Sequence, residues 1–328
     1  MSDSVTIQVP ARLHLGFLDM PGKTSSRFGS IGLPLEDIST TLTITKARET
    51  SVDGEERSRI LDHLDKLRPH LGIDSHHRIV VHGAIPGHSG LGSGTQLALA
   101  VSAALRTLHG LPFAIREDAT FLGRGIRSGI GIAAFERGGL IFDAGKGQDD
   151  QAPTVISRIP FPEDWRVILV FDSRTQGIHG DAEIAAFRSL PAFPVPSSSA
   201  ICRLSLMGLM PSLIEGDIDT FGMAVSAIQR EIGSYFAPAQ GGLFASKAVE
   251  TTLEQLADSG AVGTGQSSWG PTGFAFAVSQ AAAERIVRGA AVSQPGITIR
   301  IVAARNEGAR ISQAVTPPHL ELKHGRHH

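Results

Sequence analysis

The chain has 328 residues, of which 41% are hydrophobic and 19% charged, with a formal net charge of −2 at pH 7. That length allows two domains with substantial cores, and the composition excludes global disorder and a strongly basic nucleic-acid surface. An anionic ligand must therefore meet local positive charge. Cys202 is the single cysteine, so no intrachain disulfide can form. In the apolar stretch from Ile201 to Met210 it reads as a buried packing residue rather than a nucleophile. No apolar run approaches the roughly 18 residues of a membrane span. The N-terminus lacks the basic and hydrophobic regions of a signal peptide. A cytoplasmic protein without membrane or nucleic-acid partners is expected.

In chain order, Val5 to Val9 alternates and Thr40 to Thr45 is rich in β-branched residues, so both read as strands. Residues 57–71 show helical periodicity, with Ile60, Leu61, Leu64, Leu67 and Leu71 on one face. Arg78 to His82 reads as a strand. Gln96 to His109 is apolar nearly all round and reads as a buried helix, stopped by Gly110 and Pro112. Gly138 to Asp143 reads as a strand. The polar stretch Gly145 to Pro160 takes the domain boundary, giving domains at 1–155 and 156–316. Arg166 to Phe171 opens the second as a strand, and LPAFPVPSSS over 190–199 reads as a loop. Helices are predicted over 200–215, 217–230 and 246–259. Strands follow at Phe274 to Val278 and Ile297 to Ala303, with a helix from Ala281 to Ala290 between them. The mixture is α+β rather than a regular βαβ series. The tail, 317–328, has histidines but no spaced ligand set and reads as a mobile terminus.

The segment from Ile85 to Thr95, IPGHSGLGSGT, carries the most chemistry. Its glycines permit positive φ and close approach of backbone to a ligand. The unpaired N–H groups and dipole of the helix that follows favour an anion. Ser93 and Thr95 add hydroxyl donors. A glycine-rich turn capping a core helix accounts for the glycines equally well. The lysine of a P-loop is missing, and GLGSG does not fit the dinucleotide fingerprint.

Pro86-Gly87-His88-Ser89-Gly90-Leu91-Gly92-Ser93-Gly94 resembles the phosphate-binding motif of the GHMP kinase superfamily. The resemblance implies an N-terminal domain like the second domain of ribosomal protein S5 and a ferredoxin-like C-terminal domain. Other segments are similar to one branch, the β-ribofuranosylaminobenzene 5′-phosphate synthases. They are RLHLGFLD from Arg12 to Asp19, RFGSIG from Arg27 to Gly32, SGIG from Ser128 to Gly131, and GQSSWGPT from Gly265 to Thr272. Gln240-Gly241-Gly242 and Asn306-Glu307-Gly308-Ala309 extend the resemblance over nearly the whole chain. It implies condensation of phosphoribosyl pyrophosphate with 4-aminobenzoate, releasing CO2 and pyrophosphate, on the way to methanopterin-type cofactors. It also implies a homodimer. The alternative is a small-molecule kinase of the same superfamily. Gly129 to Ala134, where such kinases carry an aspartate base, has no carboxylate, and Arg12 and His14 stand where a lysine is common.

The implied reaction assigns roles. His88, Ser89, Gly90, Gly92, Ser93, Gly94 and Thr95 would seat the diphosphate, with Arg12 nearby and Mg2+ or another divalent cation bridging its oxygens. No organic cofactor is required. Asp19 is the first candidate to stabilise a cationic sugar carbon, although on position alone it is a turn residue ahead of Pro21-Gly22. His14 is a candidate proton donor or diphosphate contact. Arg27 is a two-pronged clamp for a carboxylate or phosphate, or a loop arginine. Arg124, Arg127 and Ser128 suit the sugar 5′-phosphate. Gln266, Ser267, Ser268 and Trp269 form a further binding loop, in which Trp269 stacks on the aromatic substrate or plugs the space between domains. Glu136, Asp143 and the stretch Gly177 to Glu183, with Asp181, are weaker candidates.

Overall fold

The computed structural model describes residues 3–20, 28–145, 152–175, 177 and 180–314, apart from the side chains of 180–184. Arg27 and the 317–328 tail lie outside the described residues.

The first sheet is built on β1 (Ser4–Phe17) and β2 (Ser30–Ala47), which pair antiparallel along almost their full length. Strand β1 runs well beyond the predicted Val5 to Val9. Pro10 and Gly16 weaken the strand signal, but both sit at register shifts, where bulges tolerate them. A Cβ on Gly16, at φ +141°, would run into Ile232.

Next come β3 (Ser51–Asp53), α1 (Arg57–His70), β4 (His76–Gly83), α2 (Ser93–Leu108), α3 (Ile115–Phe121), α4 (Ile130–Glu136), β5 (Leu140–Asp143) and β6 (Val155–Ile159). Helix α2 is buried from Gln96 to Leu108, as its all-round apolar sequence requires. Arg106 is held on the fully buried Asp118 through Nε at 2.6 Å and Nη2 at 2.7 Å, with Ser102 on the same carboxylate.

The second half holds β7 (Arg166–Asp172), α5 (Gly180–Ser189), α6 (Val195–Leu204), α7 (Met210–Glu215), α8 (Ile218–Gln240), α9 (Lys247–Asp258), β8 (Val262–Gln266), β9 (Gly273–Ala277), α10 (Gln280–Ala290), β10 (Ile297–Ala303) and β11 (Arg310–Ala314). Its four-stranded antiparallel sheet has the order β10-β7-β9-β8. With helices crossing between β7 and β8 and between β9 and β10, this is the ferredoxin-like arrangement. The other sheet runs β11-β1-β2-β4-β3, with β5 on β2 and β6 on β5. Two strands modify the boundary expected from sequence. Strand β6 lies in the stretch expected to be irregular, and β11 returns from the far end of the chain to pair Ser4 with Ala314 and Gln8 with Arg310.

Three helical expectations also change. Helix α6 begins at Val195 because Pro196 fits a helix's first turn, which shortens the expected 190–199 loop. It continues through a wide turn, Ser205–Leu209, into α7. The joined run Val195–Glu215 contains an 18-residue stretch with a mean hydropathy of 1.2, long and apolar enough by composition to cross a membrane. Here Ile201, Leu209 and Leu213 bury one side of it in the core. Cys202 falls on the outer side and is exposed, with Sγ 3.7 Å from the Leu18 carbonyl, contrary to the expected buried cysteine. Helix α8 outlasts its expected end by running to Gln240, and Asp217 caps its start by accepting from the N–H groups of Asp219 and Thr220.

Candidate active site

The glycine loop stands at the start of α2, as its sequence leads one to expect. Gly90 and Gly92 have φ of +81° and +84°, and Gly92 is the residue that caps the helix. A Cβ on Gly90 would clash with the Ser267 carbonyl, and one on Gly92 would stand 3.2 Å from Cγ and Nε of Arg12. Both positions therefore need glycine for close approach as well as for φ. Ser93, Gly94 and Thr95 form the first turn of α2. The Ser89 hydroxyl is turned to the Pro86 carbonyl at 2.7 Å, and the His88 carbonyl accepts the N–H of Gly177 at 3.3 Å.

Arg12 joins β1 to this loop. Its N–H donates to the Leu91 carbonyl at 3.0 Å, and Nη1 donates to the Gly90 carbonyl at 2.6 Å. Two further guanidiniums reach the first turn. Nη2 of Arg59 and Nη1 of Arg124 lie 3.1 and 3.3 Å from the place a Cβ on Gly94 would take. The start of α2 thus faces three arginines. Arg12 and Arg124 are among the residues singled out by sequence. Arg59 is not, because α1 reads most strongly through its apolar face.

The GQSSWGPT segment locks onto the same loop from the other sheet. The Ser267 hydroxyl donates to the Gly90 carbonyl at 2.7 Å and accepts the N–H of His14 at 3.0 Å. The N–H of Ser268 meets the His14 carbonyl at 3.3 Å. Gln266 works as a brace: its N–H donates to Gln229, its Oε1 accepts the Ala245 N–H at 2.6 Å, and its Nε2 donates to Gln240 and the Ser268 carbonyl. Trp269 is 3% exposed and packs against Phe187 and Phe236, with ring centroids 5.3 and 4.1 Å away. Both ring partners, like Trp269 itself, belong to the second half of the chain.

His14 is buried beside Phe17, with ring centroids 4.6 Å apart, and its Nε2 has no hydrogen-bond partner among the described residues. Burial, aided by the charge of Arg12, pushes its pKa down to about 3. It enters any chemistry near neutral pH as an uncharged imidazole.

The expected Arg124–Arg127–Ser128 cluster separates. Gly125, at φ +76°, turns the backbone between the two arginines. Arg124 faces Gly94, whereas Arg127 lies 5.0 Å from the centroid of the Phe187 ring. There it lines a cavity of about 420 Å³ with Met20, Phe28, Phe187 and Tyr235. Ser128 leads into α4, whose Gly131 packs on Thr95 of α2. Asp143 braces that turn by accepting from the N–H groups of Gly129 and Gly145 at 3.0 and 2.7 Å. Burial pushes its pKa up to about 7, against the pull of those N–H groups. Glu136 is engaged with Arg116 at 2.9 Å. Asp19 accepts from the Met20 N–H at 2.8 Å, and it lies close enough to Cys202 for its charge to add to the effect of burial in raising that thiol's pKa. Of the Gly177 to Glu183 stretch, residues 178 and 179 and the Asp181 side chain lie outside what is described.

Among the described residues no three His, Cys, Asp or Glu side chains converge as a metal site. The donors around the start of α2 are cationic, which suits anion oxygens and not a protein-held divalent cation.

Two family models match the chain, the GHMP kinases N terminal domain over residues 58–139 and the GHMP kinases C terminal over residues 209–293. The beta-ribofuranosylphenol 5'-phosphate synthase of Methanothermobacter thermautotrophicus is 31% identical, covering 92% of this chain and 97% of its own. Its namesake from Archaeoglobus fulgidus is 32% identical, covering 93% and 98%. Among solved structures, homoserine kinase from Cytophaga hutchinsonii superposes with a TM-score of 0.69 at 18% identity, over 95% of this chain and 98% of that one. Mevalonate diphosphate decarboxylase from Staphylococcus aureus gives 0.68 at 16% identity, over 95% and 99%. These structures share the fold.

Proposed function

We propose a function from one premise: the chain belongs to the beta-ribofuranosylphenol 5'-phosphate synthase family, within the GHMP superfamily. It is a C-riboside synthase that condenses phosphoribosyl pyrophosphate with 4-aminobenzoate. The bond from C1′ to the diphosphate oxygen breaks, and its electron pair leaves on pyrophosphate. The ring carbon bearing the carboxylate bonds to C1′. The carboxylate then departs as CO2, and the electrons of its bond restore the aromatic ring. The amino group drives electrons into the ring, so no organic cofactor takes part. The product belongs to methanopterin-type cofactor synthesis.

The observation that carries this reading is the cationic seat at the start of α2, while Glu136, the carboxylate of α4, is paired with Arg116. Arg12, Arg59 and Arg124 surround the first turn, and the α4 residue packed on Thr95 is Gly131. A leaving diphosphate needs such positive charge. A hydroxyl to be phosphorylated needs a base, and Asp143, behind the turn, is held on backbone N–H groups.

The 420 Å³ cavity supports the acceptor side of the reading. Phe28, Phe187 and Tyr235 offer faces for an aromatic ring, and Arg127 offers a partner for its carboxylate. Asp19, next to the cavity-lining Met20, is the carboxylate proposed to stabilise the developing sugar cation. A divalent cation would travel on the diphosphate oxygens and balance their charge.

A pyrophosphate-release assay tests the reading. Release from phosphoribosyl pyrophosphate should require the aromatic acid, and ATP should phosphorylate no small alcohol. ATP-dependent phosphorylation without pyrophosphate release would replace this reading with a kinase.

A further inference from the structure

Arg59 comes from α1 and Arg124 from the turn after α3, yet both guanidiniums meet at Gly94. Like charges at such range repel and are costly to desolvate together. Glu56 offsets part of that cost by taking Nη1 of Arg59 at 2.7 Å, while Nη2 is the nitrogen facing Gly94. Arg124 makes no ion pair among the described residues, and its Nε is buried without a hydrogen-bond partner. Burial, followed by the charge of Arg59, lowers its pKa.

A second observation points to a ligand at the same place. His63 lies one helical turn beyond Arg59 on the same face of α1. It is 6% exposed, and neither ring nitrogen has a hydrogen-bond partner among the described residues. Burial, then the fields of Arg124 and Arg59, hold its pKa at about 4. The imidazole therefore sits within reach of both charges and adds no negative charge to offset them. Leaving buried donors unpaired carries a free-energy cost that a multiply charged anion would remove.

We propose that Arg59 and Arg124, backed by His63, recognise the diphosphate of the substrate and distinguish it from a monophosphate. This rests on the synthase reading and names the groups that would hold its leaving group. The N–H groups of the α2 first turn and Arg12 seat one phosphate. Arg59 and Arg124 meet the additional charge of the second.

Calorimetric titration of the full chain with inorganic pyrophosphate and with orthophosphate, each with magnesium, tests this without turnover. The wild type should bind pyrophosphate the more tightly. Arg59→Gln and Arg124→Gln should each lose about tenfold in pyrophosphate affinity and much less for orthophosphate, since each removes one charge-assisted contact to the second phosphate. Far-ultraviolet circular dichroism checks folding, and Arg59→Lys, which keeps the charge, should retain part of the selectivity. Equal losses for both anions, or pyrophosphate affinity within about twofold of wild type in the folded variants, overturns the proposal. Selective pyrophosphate binding by a protein that makes no C-riboside would remove the synthase reading and leave this assignment in place.

Discussion

The Ser267 hydroxyl donates to the Gly90 carbonyl at 2.7 Å while accepting the N–H of His14 at 3.0 Å. One buried side chain thereby ties β1, the glycine loop and the β8–β9 connection together. Ser267→Ala leaves the His14 N–H and the Gly90 carbonyl without that partner. The expected cost is about 1–3 kcal/mol of stability. The loosened loop should raise KM for the phosphorylated substrate more than it lowers kcat. Denaturant unfolding and steady-state kinetics measure both effects, and an unchanged midpoint contradicts the role assigned to this hydroxyl.

Gly92 combines a φ of +84° with the Arg12 side chain 3.2 Å from where a Cβ would stand. Gly92→Ala strains the backbone and displaces Arg12 from the seat. Affinity for inorganic pyrophosphate should fall at least about tenfold in a folded protein. Calorimetry checks this, and wild-type affinity would show that the loop does not seat the anion.

Asp143 gives a pH signature. Its carboxyl ionises near 3.8 in an unfolded chain and near 7 in the fold, where burial favours the protonated form. Between those values the native protein holds a proton that the unfolded chain has released. Stability should therefore fall as pH rises from about 4 to about 7, and this contribution should level off above. Asp143→Asn has no such proton to lose. Unfolding midpoints across that range should decline less in the variant, and parallel curves would refute the assignment.

Asp19→Asn keeps the side chain's shape and removes its charge. If Asp19 stabilises the sugar cation, turnover should drop about 100-fold, about 3 kcal/mol, with a smaller change in substrate binding. Near-native turnover would pass the role to another carboxylate.

The parts of this site legible in the sequence are those whose signal is local. The glycines before α2 and the all-round apolar helix declare themselves within a few residues, whereas Arg12 lies beyond the Val5 to Val9 strand signal and is singled out only through the family resemblance. Arg59 and His63 flank the apolar face of Ile60, Leu64 and Leu67, and nothing local says that this edge of α1 meets Gly94. Arg124 and Arg127 look like one cluster until the turn at Gly125 sends them to different places. Strand β11 has the same origin: its pairing with Ser4 to Gln8 depends on the opposite end of the chain. Cys202 misleads because its apolar neighbours Leu206 and Met207 are themselves exposed.

In the proposed reaction the carboxylate leaves the ring once the C-riboside bond has formed. Incubation with phosphoribosyl pyrophosphate, magnesium and 4-aminobenzoate labelled in its carboxyl carbon tests it most directly, with 4-hydroxybenzoate run in parallel because the curated relatives are named for a phenol. Labelled CO2 and pyrophosphate should appear in equal amounts, and neither should form when the aromatic acid or the phosphoribosyl donor is withheld. Pyrophosphate release with the label retained in the aromatic product would contradict the claim.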